Sequence, residues 1–280
     1  MEIQRNTAAL FSEPVPGTRS NRLMWINADR VFYASSLGAP TTRTLGAIAL
    51  YISLGKPHRI SINGGAWETT ALAIVPPYVP HRIVGGERHI CKLLIEAETV
   101  DIDRLPPFMA GRAGALEAPA LVQRVRDTYH RLLREGRNVD LQGLNFDLSF
   151  FGEELPCRPI DRRILAVLNQ IKNNPAAPLA AEECAESAHL SFSRFLHLFK
   201  QEVGAPFRSF RTWKRARNLL HYVTKDANLA YIALDTGYPD STHFSHSIRQ
   251  VYGLKPKDMF ASSRQLALYG QAPASIFSYA

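Results

Sequence analysis

Two segments of this 280-residue chain carry the same hydrogen-bonding side chains 49 residues apart. Ser191-Phe-Ser-Arg-Phe-Leu-His-Leu-Phe-Lys-Gln is matched by Asp240-Ser-Thr-His-Phe-Ser-His-Ser-Ile-Arg-Gln. His197 falls on His246, Lys200 on Arg249, Phe195 on Phe244, Phe199 on Ile248 and Gly204 on Gly253. Imidazole, ammonium and guanidinium groups in matched places are donors suited to base edges and phosphate oxygens. Covalent catalysis has no comparable signature: G-x-S-x-G, P-loop and G-x-G-x-x-G patterns are all missing. Cys91, Cys157 and Cys184 lack C-x-x-C spacing and read as free thiols of a reducing cytosol. No catalytic residue, metal site or cofactor is expected.

The elements that must hold these donors are helices. Ser191 and Asp240 are N-cap residue types, and each repeat reads as a helix of about three turns stopped by glycine. A shorter helical piece precedes each, Ala181–Ser187 and Leu229–Asp235. Turns at Ala188-His189-Leu190 and Thr236-Gly237-Tyr238-Pro239 follow them, giving helix-turn-helix twice. Between the copies, residues 207–223 predict one long helix. Phe207, Phe210, Trp213, Leu220 and Val223 make its apolar face, and Arg208, Arg211, Lys214, Arg215 and Arg217 crowd the rest. The charge distribution agrees: the net charge is +8, with 17 Lys and Arg against 16 Asp and Glu in residues 1–155, and 16 against 9 in residues 156–280. The positive field therefore sits on the C-terminal part, as expected of a partner for phosphates.

Residues 160–262 resemble the DNA-binding domain of the AraC/XylS family of bacterial transcription regulators. The resemblance rests on Leu190-Ser191, Phe199-Lys200, Gly204, Phe207, Phe210 and Arg215. Its second half rests on Ile232-Ala233, Gly237-Tyr238, Asp240, Phe244, Gly253 and Pro256. The sequence departs from the family at positions 197 and 246, histidine where a larger basic residue is usual, and at Ile248, where phenylalanine is usual. The resemblance implies two recognition helices entering adjacent major grooves about 34 Å apart. Base contacts then fall to Ser193, Arg194, Leu196 and His197, and to Ser241, Thr242, Ser245 and His246. Lys200, Arg208, Arg249 and Lys255 fall to phosphates. Phe195, Leu198, Phe199, Phe244 and Ile248 turn to the core.

The N-terminal part reads as strands. Ile60-Ser61-Ile62 before Asn63-Gly64-Gly65 signals a hairpin, with residues 67–75 as the returning strand ended by Pro76-Pro77. A second hairpin is expected from His81–Val84, Gly85-Gly86 and residues 89–96. Leu121, Val122, Val125, Tyr129, Leu132 and Leu133 mark an amphipathic helix that either covers the β domain or, the favoured reading, pairs with a second subunit. The fold class is α+β: a β-barrel, cupin-like sensing and dimerisation domain over residues 1–155 with helices from about 119. An all-α domain with two helix-turn-helix motifs follows over 156–262, then a tail over 263–280. A metal cupin needs clustered histidines and a glutamate, whereas His58, His81 and His89 are scattered.

Trp25, Phe32, Tyr51, Arg59, Trp67, Tyr78 and His81 are candidates to line an effector pocket, set against plain barrel filling. Arg158-x-x-x-Arg162 resembles the R-x-x-x-R stretch of cyclic di-GMP receptors, whose guanidinium groups grip phosphates. The expected partners are double-stranded DNA, a small-molecule effector, a second copy of the chain and RNA polymerase, with a lean to activation. The N-terminus lacks the apolar stretch of a signal peptide, and no run long enough to span a membrane occurs, so a cytoplasmic protein is expected. The competing readings are a cupin-type metal enzyme tethered to a DNA-binding domain and an effector-independent DNA binder.

Overall fold

A computed structural model describes residues 21–35, 37, 40–87, 89–135, 144–223, 228–263 and 266–270. The strands are β1 (Leu23–Ile26), β2 (Arg30–Ser35), β3 (Ala47–Ser53), β4 (His58–Ile62), β5 (Glu68–Thr70), β6 (Leu72–Val75), β7 (His81–Val84), β8 (Ile90–Glu96), β9 (Gly114–Leu116) and β10 (Ala267–Gly270). They form a seven-stranded sheet, β10-β1-β2-β8-β3-β6-β9, and a three-stranded sheet, β5-β4-β7. The arrangement is barrel-like but not closed. β3 and β8 are buried at every position and lie inside the large sheet, with apolar layers on both faces.

Two strand expectations are corrected. The hairpin at Asn63-Gly64 forms, pairing His58 with Thr70, but residues 67–75 are two strands in different sheets. Between them, at Ala71, the chain crosses from the β4 edge to pair Leu72 with Ile52 of β3. β7 and β8 are not hairpin partners either. β7 alternates buried and half-buried residues and pairs with β4, while the fully buried β8 pairs with β2 and β3. Gly86 lies against the backbone of Lys56 and Pro57, where a Cβ would fall 1.9 Å from the Pro57 carbonyl oxygen, so this segment packs on the β3–β4 connection.

Helix α1 (Pro119–Glu135) and the short α2 (Phe146–Phe150) cover one face of the large sheet. Leu121, Val122, Val125, Tyr129 and Leu132 join Trp25, Phe32, Phe146 and Phe150 in one core. The apolar face of α1 is thus spent inside the chain, the covering role rather than the favoured pairing role. The opposite face of the large sheet, the small sheet and the second helix-turn-helix share another core.

The helical region comprises α3 (Arg162–Asn173), α4 (Ala181–Ser187), α5 (Phe192–Val203), α6 (Phe207–Asn218), α7 (Leu229–Asp235), α8 (Ser241–Tyr252) and α9 (Pro256–Ser263). The long helix expected over 207–223 ends at Asn218. Leu219–His221 tightens into a 3₁₀ turn that brings Leu219, Leu220, Tyr222 and Val223 into the shared core. After α9 the chain returns as β10, parallel to β1 with Leu23 opposite Ala267, so part of the expected tail completes the N-terminal sheet.

Candidate nucleic-acid interface

Helices α5 and α8 are each twelve residues long, and each ends at a left-handed glycine, Gly204 (φ 80°) and Gly253 (φ 71°). The turns before them carry the same backbone bonds. His189 N–H donates to Glu186 O and Leu190 N–H to Ala185 O; Gly237 N–H donates to Leu234 O and Tyr238 N–H to Ala233 O, all at 2.9 Å. Matched turns are 48 residues apart and matched helices 49, because Pro239 adds one residue before the second cap. The left-handed position is His189 (φ 53°) in the first copy and Gly237 (φ 81°) in the second. Glycine is required there, since a Cβ would meet the Ala176 carbonyl oxygen at 2.5 Å.

The two starts are capped differently. The Asp240 carboxylate accepts from Thr242 N–H (2.7 Å) and His243 N–H (2.8 Å), and it also pairs with His243 Nδ1 at 2.7 Å. Donation from the His243 backbone, then from its ring, holds the Asp240 carboxyl below its ordinary range. Ser191 occupies the same place but makes no side-chain capping bond.

Phe195, Leu198, Phe199, Phe244 and Ile248 are buried as expected. Ser193, Arg194, His197 and Lys200 are exposed on α5, and Ser241, Thr242, His246 and Arg249 on α8, as are Arg208 and Lys255. Leu196 is half-buried against the core of the first unit, and Ser245 is half-buried. Sequence reasoning missed His243, which is exposed on α8 and oriented by Asp240. The repeat register could have found it, because His243 stands 49 residues after Arg194. Each helix then presents an exposed basic residue at three successive i, i+3 positions: Arg194, His197, Lys200 and His243, His246, Arg249.

The cations expected around α6 are mostly structural. Lys214 Nζ lies 2.5 Å from Glu96 Oε2 and 2.7 Å from Glu98 Oε1, and Arg217 Nε lies 2.6 Å from Glu96 Oε1 in a charge contact without hydrogen-bond alignment. Trp213 Nε1 donates to Glu96 at 2.8 Å. Arg211 donates to the Ala177 and Leu179 carbonyls, and Arg215 to Pro175 O at 3.4 Å. This leaves α5, α8 and their flanks to meet a ligand.

The candidate effector residues do not converge. Trp25 faces the core under α1 and α2. Tyr51 and His81 lie on the other face of the sheet, hydrogen-bonded at 2.8 Å, and Tyr78 packs against that second core. Arg59 and Trp67 are on the outside of the small sheet, where Arg59 and Arg82 lie 5.5 and 5.1 Å from the Trp67 ring centroid. Arg158 donates to Gln201 O at the end of α5, while Arg162 is exposed at the start of α3. Among the described residues no cluster of His, Cys, Asp or Glu could hold a metal, and no helix is long and apolar enough to cross a membrane.

Residues 184–262 match the protein family described as "Helix-turn-helix domain". The chain carries an AraC/XylS-type helix-turn-helix domain. The invasion protein InvF of Salmonella typhi is 29% identical over 75 residues, and so is InvF of Salmonella typhimurium. The match spans 26% of this chain and 35% of the length of those relatives. The fold extends beyond the AraC/XylS-type domain. An apo variant of ToxT from Vibrio cholerae superposes with a TM-score of 0.56 at 9% identity, covering 84% of this chain and 98% of ToxT. Wild-type ToxT with a bound unsaturated fatty acid gives 0.55 at 12% identity, covering 84% and 96%. At these identities the likeness is one of fold.

Proposed function

We propose that this chain is a transcription regulator that reads a specific operator with α5 and α8, under the control of a small molecule held by its N-terminal domain. The observation that carries the reading is the matched set of exposed basic side chains on two helices held by the same turn and stop. One helix inserted in a major groove reads only a few base pairs. Two on one rigid frame read a longer site without requiring a second chain. The histidines can donate to guanine O6 or N7, and Lys200, Arg208, Arg249 and Lys255 fix the register on phosphates. The fatty acid bound by ToxT supports a small-molecule effector here, and the family resemblance supports activation through RNA polymerase. Light scattering of the purified chain tests for the homodimer.

Selection from a random duplex pool with the full chain, followed by sequencing, is expected to return one operator motif with two half-sites about one helical turn apart. His246→Ala is then expected to weaken binding to that operator by about tenfold, within the range of one lost base contact. Its effect on random duplex at the same salt should be much smaller. Equal losses on both duplexes would make His246 a phosphate neighbour, and a pool that yields no motif would overturn the reading.

A further inference from the structure

Helices α1 and α2 bury one face against the large sheet and leave an open groove of about 900 Å³ between their outer faces. Three arginines of α1 line it, Arg124, Arg131 and Arg134. Among the described residues no carboxylate lies within 4.0 Å of any of the three guanidinium groups. Arg131 is half-buried, and its Nε has no acceptor. Arg124 packs against Gly152, where a Cβ would fall 2.8 Å from its guanidinium carbon. The acid in the lining, Asp127, is already engaged: its Oδ1 accepts from the Gln123 amide at 2.9 Å.

The facing wall adds apolar surface and is firmly held. Leu148 of α2 is 49% exposed, and the half-buried Leu144 lines the same wall. The Asn145 side chain caps α2 by accepting from Leu148 N–H at 3.1 Å, and Thr128 Oγ1 of α1 donates to Ser149 O of α2 at 2.8 Å. The two walls therefore keep their spacing without an occupant. From Arg124 to Arg134 the basic stripe follows α1 for roughly 15 Å, just under three helical turns. A phosphate backbone would use the arginines but not Leu148. A helix with acidic side chains and apolar anchors uses both.

We propose that this groove docks an acidic amphipathic helix of another protein, about three turns long. Its carboxylates meet Arg124, Arg131 and Arg134, and its apolar side chains cover Leu148 and Leu144. Arginines that lack an acid of their own and are already partly packed pay little to be ordered, which suits them as anchors. The groove lies on the face of the large sheet opposite the core shared with the second helix-turn-helix. A partner held there leaves α8 free, so it accompanies the chain to an operator rather than competing with DNA. The docking role goes beyond operator reading and effector control and does not depend on either.

The test uses the full chain and a library of labelled helical peptides of about 14 residues. Glutamate or lysine is varied on their polar face and leucine or alanine on their apolar face. Selection on the chain is expected to enrich glutamate-leucine peptides. Arg134→Glu and Leu148→Ser, both at exposed positions, are each expected to weaken the enriched peptide about tenfold in fluorescence anisotropy. Exchanging one facing glutamate of the peptide for lysine should restore most of the loss in Arg134→Glu, a rescue that misfolding cannot mimic. Duplex DNA affinity should not change in either variant. Enrichment of lysine peptides, no enrichment, or alanine serving as well as leucine would each overturn the proposal. So would equal binding by the variants, which would place the peptides on α5 and α8, or a fall in duplex affinity with Arg134→Glu, which would give the stripe to DNA. Self-association of the chain that Arg134→Glu abolishes would give the groove to a second copy and overturn it as well.

Discussion

Glu96 is the residue on which the joint between sheet and helices turns. Its carboxylate is 1% exposed and meets Trp213, Lys214 and Arg217. Glu98, Lys172 and Asp29 extend the network to three acids and three bases. Glu96→Gln keeps the shape and removes one charge, leaving Arg217 with backbone carbonyl acceptors but no carboxylate, and Lys214 with one acid instead of two. The expected cost is about 3 kcal/mol of unfolding free energy, the scale of a broken buried pair. Urea denaturation reads it, and a loss under about 1 kcal/mol would show that the network is solvated. This role was not legible in the sequence. Lys214 and Arg217 sit on a helix with basic neighbours, and their acids, Glu96 at the end of β8 and Glu98 in the turn after it, lie well over 100 residues earlier. The exposed donors were legible, because a helical period and a repeat fix a face without any knowledge of distant partners.

At the scale of elements, α5 and α8 are copies that differ at their caps. Asp240 satisfies two backbone donors and orients His243, whereas Ser191 satisfies none. Asp240→Ala is therefore expected to cost about 1 kcal/mol, and Ser191→Ala much less. Urea or thermal melting of the two variants checks the contrast; equal losses would refute the difference in capping. Asp240→Ala should also weaken operator binding, since His243 loses its orienting partner. The helices could be read with good boundaries because caps, glycine stops and apolar period agree locally. Strand partners could not. β7 and β8 are separated by glycines as a hairpin would be, and only the shared cores assign them to different sheets.

At the scale of the whole molecule, the buried titratable groups set how stability follows pH. His58 has Ser53 Oγ on Nδ1 at 2.8 Å and no partner on Nε2, and His81 spends Nε2 on the Tyr51 hydroxyl. Burial, the leading cause for both, lowers each from 6.5 to about 4. A folded pKa below the unfolded one stabilises the fold above about pH 6.5 and withdraws that stability as pH falls toward 4. Each histidine contributes up to about 3 kcal/mol at neutral pH on this account. Glu98 acts lower. Burial alone would raise it, but Lys214 and Lys172 prevail and hold it at about 2, so its contribution is lost only between about pH 4.5 and 2. Lys92 acts on the other side. With a folded value of about 7, it binds its proton more readily in the unfolded chain, so stability rises between pH 7 and about 10.5. The urea midpoint is therefore expected to fall as pH drops below about 6.5 and to rise as pH climbs above about 7. A midpoint flat down to pH 4.5 would mean that His58 and His81 are not buried as neutral rings.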